Sequence, residues 1–246
     1  MKISGNTVLI TGGSAGIGLE IARLLSHNNH VIITGRDPER LAQAAKQLKN
    51  VTAIVCDVTK EKEVNKLVKS LQDDFLQLNM LINNAGRAFV YRLSASANAF
   101  EKATDEMLTN YFAIISLTEK LLPLLSQQTE AAIVNVSSIV ALVPSARTPT
   151  YAASKAALHS YTQTLRLTLA PQKNISVFEL MPPLVNTDFS QEIDGHRGIP
   201  AKEVAECLLN ALEKNDYEIH VGQTAQIYQL LQSSPANALL AMNPTK

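Results

Sequence analysis

Tyr151 and Lys155 stand four residues apart in a stretch that reads as helix, Tyr151–Leu169, so both side chains leave one helical face. A phenol with a pKa of about 10 is a poor base near neutrality, and a positive charge beside it lowers that value. The pair is a candidate proton donor and acceptor. Their neighbours Ala152, Ala153, Ala156 and Ala157 are small and allow a ligand or a second helix to come close. Ser138 lies 13 residues before Tyr151, just past an expected strand, Ala132–Val136. Ligands of open α/β sheets bind at the carboxyl ends of strands, where this hydroxyl falls. Each residue also has a plainer account: an interface tyrosine, a solvated lysine, a serine that caps the turn after its strand.

A second set of residues suits anion binding. The first expected strand runs into Thr11-Gly12-Gly13-Ser14-Ala15-Gly16-Ile17-Gly18 and then a helix. Gly12, Gly16 and Gly18 let the backbone turn tightly and approach a diphosphate, while the helix start offers free N–H groups. A glycine turn needed only for packing is the alternative. The second strand ends at Thr34-Gly35-Arg36, where sheets that prefer NAD usually carry a carboxylate. A guanidinium there can grip a 2′-phosphate, with the Ser14 hydroxyl added to it, so NADP(H) is favoured over NAD(H). Otherwise Arg36 is a surface charge paired with Glu39 or Glu20.

These groups need a scaffold, and the chain alternates apolar runs with amphipathic ones. Strands are expected near Thr7–Thr11, Val31–Thr34, Thr52–Cys56, Met80–Asn83, Ala132–Val136, Ile175–Leu180 and Glu218–Val221. Helices are expected near Gly16–Ser26, Pro38–Leu48, Lys60–Phe75, Ala99–Leu125, Tyr151–Leu169, Ala201–Glu213 and Gln223–Leu231, with Asp37 and Thr59 as caps. Val- and Ile-rich strands without alternation are those buried on both faces. The order implies an α/β, Rossmann-type doubly wound parallel sheet of seven strands with helices on both faces. With no linker or repeat in 246 residues, one domain spanning 1–246 is expected, with a C-terminal tail from about 232 to 246 whose course the sequence leaves open.

Composition excludes several classes. Lys plus Arg and Asp plus Glu are each 22, and no basic block occurs, which argues against nucleic acid as a partner. No apolar run approaches the roughly 18 residues that cross a bilayer, so no membrane insertion is expected. Two cysteines, Cys56 and Cys207, make neither a disulfide framework nor a four-ligand zinc site, and no metal is expected. The apolar start is broken by glycines, Glu20 and Arg23 and does not read as a signal peptide, so the expected location is cytoplasmic.

Taken in order, Thr11-Gly12-x-x-x-Gly16-Ile17-Gly18, Asp57-Val58, Asn83-Asn84-Ala85-Gly86, Asn110, Ser138 and Tyr151-x-x-x-Lys155 resemble the short-chain dehydrogenase/reductase family, in its common single-domain branch. The resemblance covers most of the chain. It implies a nicotinamide cofactor, since no side chain delivers a hydride. Tyr151 is then the general acid/base, Lys155 its partner and holder of the nicotinamide ribose, and Ser138 the donor to the substrate oxygen. Asn110 holds a water that relays protons through Lys155. Asp57 and Val58 meet the adenine, Asn83 and Gly86 lie along the ribose and central strand, and Asn84, Ala85, Pro182, Val185 and Thr187 line the rest of the cofactor. The resemblance implies an NADP(H)-dependent interconversion of a small-molecule carbonyl and a secondary alcohol. The alternative is a catalytically weak regulatory or scaffold protein that kept the cofactor fold. A homodimer or homotetramer is expected through the two long helices.

Some residues depart from the pattern. Met181-Pro182-Pro183-Leu184-Val185-Asn186-Thr187 has Pro183 where the family usually has glycine, a variant that resembles a smaller DltE-like bacterial branch. Ala141 replaces another frequent glycine. A short polar cap, Asp188 to Gly198, implies an open pocket, with Arg87, Phe89, Tyr91, Leu142, Val143 and Arg147 as further wall candidates. Arg87 or Arg147 could bind an acidic substrate, or simply be solvated.

Overall fold

The protein is represented by a computed structural model that describes residues 1–244. Seven strands form one parallel sheet: β1 (Thr7–Thr11), β2 (His30–Gly35), β3 (Val51–Val55), β4 (Leu78–Asn83), β5 (Ala131–Val136), β6 (Ile175–Met181) and, by its place in the chain, β9 (Glu218–His220). A separate pair, β7 (Val185–Asn186) and β8 (Ile199–Pro200), was not expected from sequence. The sheet order is β3-β2-β1-β4-β5-β6-β9. The chain therefore winds outward from β1 to β3, then returns to lay β4 on the other side of β1. The ends of β1 and β4 diverge at this reversal, which is where open α/β sheets bind ligands.

The helices are α1 (Gly16–Leu25), α2 (Pro38–Ala45), α3 (Glu61–Asp74), α4 (Ala99–Met107), α5 (Ala113–Ser126), α6 (Pro149–Leu169), α7 (Ala201–Lys214), α8 (Gln223–Ser233) and α9 (Pro235–Met242). Successive strand residues point to opposite faces. Val8 and Ile10 join Val31, Ile33 and Phe178 under α1, α2 and α7. Leu9 and Ile32 join Leu81, Ile133 and Val177 under α3, α5 and α6. Both faces being dry explains why the strands lack polar alternation.

The Asp37 cap is present: its carboxylate accepts from the N–H groups of Glu39 (2.9 Å) and Arg40 (3.1 Å). The Thr59 cap is not. Its hydroxyl donates to Asp57 (2.7 Å), and Lys60 is the residue at the start of α3. The expected helix Ala99–Leu125 is interrupted by a π-helical turn, Leu108–Phe112, where Ala113 N–H donates to the Leu108 carbonyl. Such an extra residue leaves the hydrophobic period almost unchanged, so the sequence pattern does not reveal it. The tail after 232 is largely helical. Its α9 buries Ala238 against Ile139, Val143 and Ile227, and Asn243 accepts from Ala146 N–H (2.7 Å) and donates to the Pro144 carbonyl (2.9 Å). Its last two positions lie outside the described residues. No helix among the described residues is long and apolar enough to cross a membrane.

Candidate active site

The glycine loop is built by β1 and held by the end of β4. Thr11 Oγ1 accepts from the N–H groups of Asn84 and Ala85, both at 3.0 Å. The Asn84 amide donates back to the carbonyls of Thr11 (3.0 Å) and Gly12 (3.1 Å). Gly12 has φ +66°, a conformation that side chains disfavour. A Cβ at Gly18 would lie 2.5 Å from the Gly12 carbonyl oxygen, so only glycine lets α1 start this close to the loop. No side chain caps α1 and its first turn holds no acid, which leaves its N–H groups and partial positive charge for an anion.

Beside this loop lies a cavity of about 170 Å³ lined by Ser14, Arg36, Asp57, Val58, Ala85 and Gly86, among others. Thr34 also lines it, and its Oγ1 is buried without a hydrogen-bond partner among the described residues. Ser14 Oγ sits against Gly35, 3.3 Å from where a Cβ would be. Arg36 follows, exposed, and pairs with neither Glu39 nor Glu20. Glu20 is 3.4 Å from Arg23 instead. The nearest carboxylate in sequence, Asp37, is turned away as the α2 cap. Thr187 closes the other side, its methyl 3.2 Å from where a Gly16 Cβ would be. Arg40 and Asp188 form an ion pair at 2.6 Å that joins α2 to the segment after Thr187, a contact the sequence did not suggest. These features fit the adenosine and diphosphate of a dinucleotide.

Ser138, Tyr151 and Lys155 do come together. Ser138 lies two residues past β5 with an extended backbone, and its Oγ accepts from Val140 N–H at 3.3 Å. It is thus a turn cap while it also contacts the Tyr151 phenol. Lys155 is 3% exposed, donates to the Val136 carbonyl at 2.8 Å, and lies 5.7 Å from the Tyr151 ring centre. Burial lowers the Lys155 pKa to about 8, with the charge of Glu179 holding it up. The Tyr151 phenol departs from expectation. Burial pushes it well above 10, against the pull of Ser138 and with Glu106 pushing it higher. Enclosure in low dielectric disfavours a phenolate.

Asn110 sits in the π turn, fully buried. Its Oδ1 accepts from Arg87 N–H (2.8 Å), and its Nδ2 donates to the Arg87 carbonyl (2.8 Å) and to Ser154 Oγ (2.9 Å). Both amide hydrogens are therefore occupied in clamping the segment after β4 to α6. Gly86 faces this clamp, with its Cβ direction 4.0 Å from Lys155 Nζ. Asn83 is a correction. Being one position away on the strand, it points into the core and donates to Asn135 (2.8 Å) instead of lying along the site. The Pro182 carbonyl accepts from Ile139 N–H (2.9 Å), which ties the Pro182-Pro183 turn to the serine turn, and Val185 is buried in β7.

The wall candidates divide. Phe189, in the cap and not among those candidates, is half exposed with its ring 6.1 Å from that of Tyr151. Arg147 is paired with Asp194 at 2.9 Å and Arg87 with Asp105 at 3.6 Å, so both have carboxylate partners within the chain. Two buried acids were missed. Glu106, one turn before Asn110, accepts from Phe89 N–H (2.7 Å), and burial raises its pKa. Glu179 interrupts the apolar run of β6 and is fully buried. A charged residue in an otherwise apolar strand was the signal available for it.

Residues 6–198 match the family model described as short chain dehydrogenase. A relative from Bacillus subtilis strain 168, the uncharacterized oxidoreductase DltE, is 40% identical over 225 residues, covering 89% of each chain. A solved short chain dehydrogenase from Burkholderia cenocepacia J2315, in complex with NADP, superposes over 100% of both chains with a TM-score of 0.87 and 28% identity. One from Burkholderia phymatum, in complex with NAD, superposes with a TM-score of 0.84 at 21% identity, over 100% of this chain and 98% of that one. With the family model matched over residues 6–198 and a DltE relative 40% identical, the chain belongs to the short-chain dehydrogenase/reductase oxidoreductases, in the DltE-like subgroup.

Proposed function

We propose that the protein is an NADP(H)-dependent oxidoreductase that interconverts a small-molecule carbonyl and a secondary alcohol. The observation that carries the proposal is the convergence of Ser138, Tyr151 and Lys155 beside the glycine loop, with Lys155 Nζ 5.7 Å from the phenol ring. A nicotinamide dinucleotide, when bound, supplies or accepts the hydride. The N–H groups at the start of α1 and the turn from Gly12 to Gly18 hold its diphosphate. Asp57 and Val58 flank its adenine, and Asn84 and Ala85 keep the loop in shape. Gly86, Val185 and Thr187 border the remaining half.

The Tyr151 hydroxyl gives its proton to the substrate oxygen during reduction and takes one during oxidation. Ser138 donates a hydrogen bond to the same oxygen as negative charge develops. Lys155 holds a positive charge near the phenolate, which burial alone makes unfavourable. NADP(H) is preferred over NAD(H) because Arg36 stands exposed on the cavity wall with Ser14 and forms no ion pair with a carboxylate among the described residues. A homodimer or homotetramer is consistent with Phe100, Phe112 and Leu167, exposed apolar side chains on α4, the π turn and α6.

The test is a carbonyl panel with absorbance of NADPH and NADH followed separately. Tyr151→Phe is expected to lower kcat at least roughly hundredfold, the lower end of general acid–base contributions. Turnover unchanged in Tyr151→Phe refutes the mechanism. Tight NADPH binding with no turnover on any carbonyl favours the regulatory alternative.

A further inference from the structure

Behind Lys155 lies a buried polar group that the proposed chemistry does not yet use. Glu179 is fully buried in β6, paired in register with Asn135 of β5 and Glu218 of β9. Its Oε1 accepts from Ser137 Oγ at 2.5 Å and its Oε2 from His159 Nδ1 at 2.8 Å. We propose that Glu179 is a positioning residue, a fixed counter-charge that keeps Lys155 in its ammonium form, with Ser137 and His159 locking the carboxylate in place. The proposal deepens the reading of Lys155 given above and rests on it.

The two grips come from either side of the lysine's own attachment. Ser137 follows Val136, whose carbonyl takes the Lys155 hydrogen bond, and His159 is one helical turn beyond Lys155 on α6. The lysine is almost wholly enclosed, and no carboxylate among the described residues lies within ion-pair distance of its Nζ. A buried ammonium without a negative field loses its proton. Glu179 is the group whose charge opposes that loss. His159 also faces Glu218, Arg166 and His220, and Tyr151 faces Glu106. Neither the Glu218 carboxylate nor that of Glu106 is among the charges that hold Lys155 up. A lysine that deprotonates loses its hold on the phenolate, so the counter-charge sets the alkaline limit of the reaction.

The test uses cofactor-free, full-length protein labelled with ¹³C-lysine, titrated by NMR. The Lys155 signal is assigned by its absence in Lys155→Arg. In the wild type the midpoint is expected near 8. In Glu179→Gln, which keeps the shape and removes the charge, the midpoint is expected to fall by about one pH unit or more, a tenfold change in the protonation equilibrium. In His159→Gln, which keeps the carboxylate, it is expected to stay within about half a unit. In turnover, the alkaline limb of the kcat/KM profile moves down with the midpoint in Glu179→Gln only. An unmoved Lys155 midpoint in folded Glu179→Gln overturns the proposal, as does an equal fall in both variants. If Glu179→Gln does not fold, Glu179→Asp replaces it: the charge remains, the grips loosen, and a fall of a full unit there overturns the proposal. Because the midpoint is read without cofactor or substrate, an enzyme that turns nothing over refutes the functional reading and leaves this measurement standing.

Discussion

Asn110→Ala separates a clamp from a water-holding residue. The wild-type amide makes three hydrogen bonds of 2.8, 2.8 and 2.9 Å from a fully buried position. Each contributes about 1 kcal/mol net. Ser154 keeps its own bond to the Tyr151 carbonyl (2.8 Å), and the Arg87 backbone, only partly buried, can turn to water. These partners are therefore not stranded at full desolvation cost. The truncation also leaves a small void. The total is roughly 3–4 kcal/mol. For a chain of this length that corresponds to a fall in Tm of roughly 6–16 °C. Urea and thermal unfolding of the cofactor-free protein measure it directly. Asn110→Asp should be at least as damaging, because it loses both donations and sets a carboxylate oxygen against the Arg87 carbonyl. A loss below about 1 kcal/mol in Asn110→Ala, together with a large fall in kcat, would refute the clamp and restore the side chain as a water ligand.

Arg36→Ala is expected to raise KM for NADPH by roughly ten- to hundredfold, the value of a charge-assisted hydrogen bond, and to leave NADH unchanged; equal effects on both cofactors would exclude a 2′-phosphate contact. Gly18→Ala puts a methyl group 2.5 Å from the Gly12 carbonyl oxygen, and a loss of roughly 1–3 kcal/mol of stability with weakened cofactor binding should follow in urea melts and fluorescence titrations. A fully stable, binding-competent variant would show that the loop can yield. His159 carries the pH signature. Its bond to Glu179 raises its folded pKa above 6.5, so its contribution is complete below that value and disappears as pH rises through the folded pKa. The stability gap between wild type and His159→Gln should be wider at about pH 5.5 than at about pH 8.5, and equal gaps would contradict the pairing.

The parts of the site carried by local chemistry were legible in the sequence. The glycine spacing at Gly12, Gly16 and Gly18 implies a strand-to-helix turn whatever surrounds it, and the four-residue step from Tyr151 to Lys155 survives any error in helix ends. What depends on the partner element was not legible. Asn83 and Asn84 differ by one position, and only the pairing of β4 with its neighbours sends one into the core and the other to the loop. Thr59 has a capping side chain, but Asp57 two residues earlier competes for its hydroxyl. The partners of Glu179 come from the residue just past β5 and from α6, 42 and 20 residues away, which no local pattern reveals. The upward push on Tyr151 in the chain alone was not legible for a related reason: spacing reports proximity to a charge, and enclosure reports the opposing desolvation.

The packing of α9 on the turn after Ser138 couples two distant stretches of chain. Ile139 and Val143 share one apolar cluster with Ile227 and Ala238, and Asn243 bridges to residues 144 and 146. Contiguous clusters of this kind open together in hydrogen exchange. Amides of residues 139–143 and of α8 and α9 should then share one opening free energy, lower than that of the central strands. The turn after Ser138 is consequently only as persistent as a helix some hundred residues further along, and a polar substitution at Ala238 would be felt as faster exchange beside Ser138.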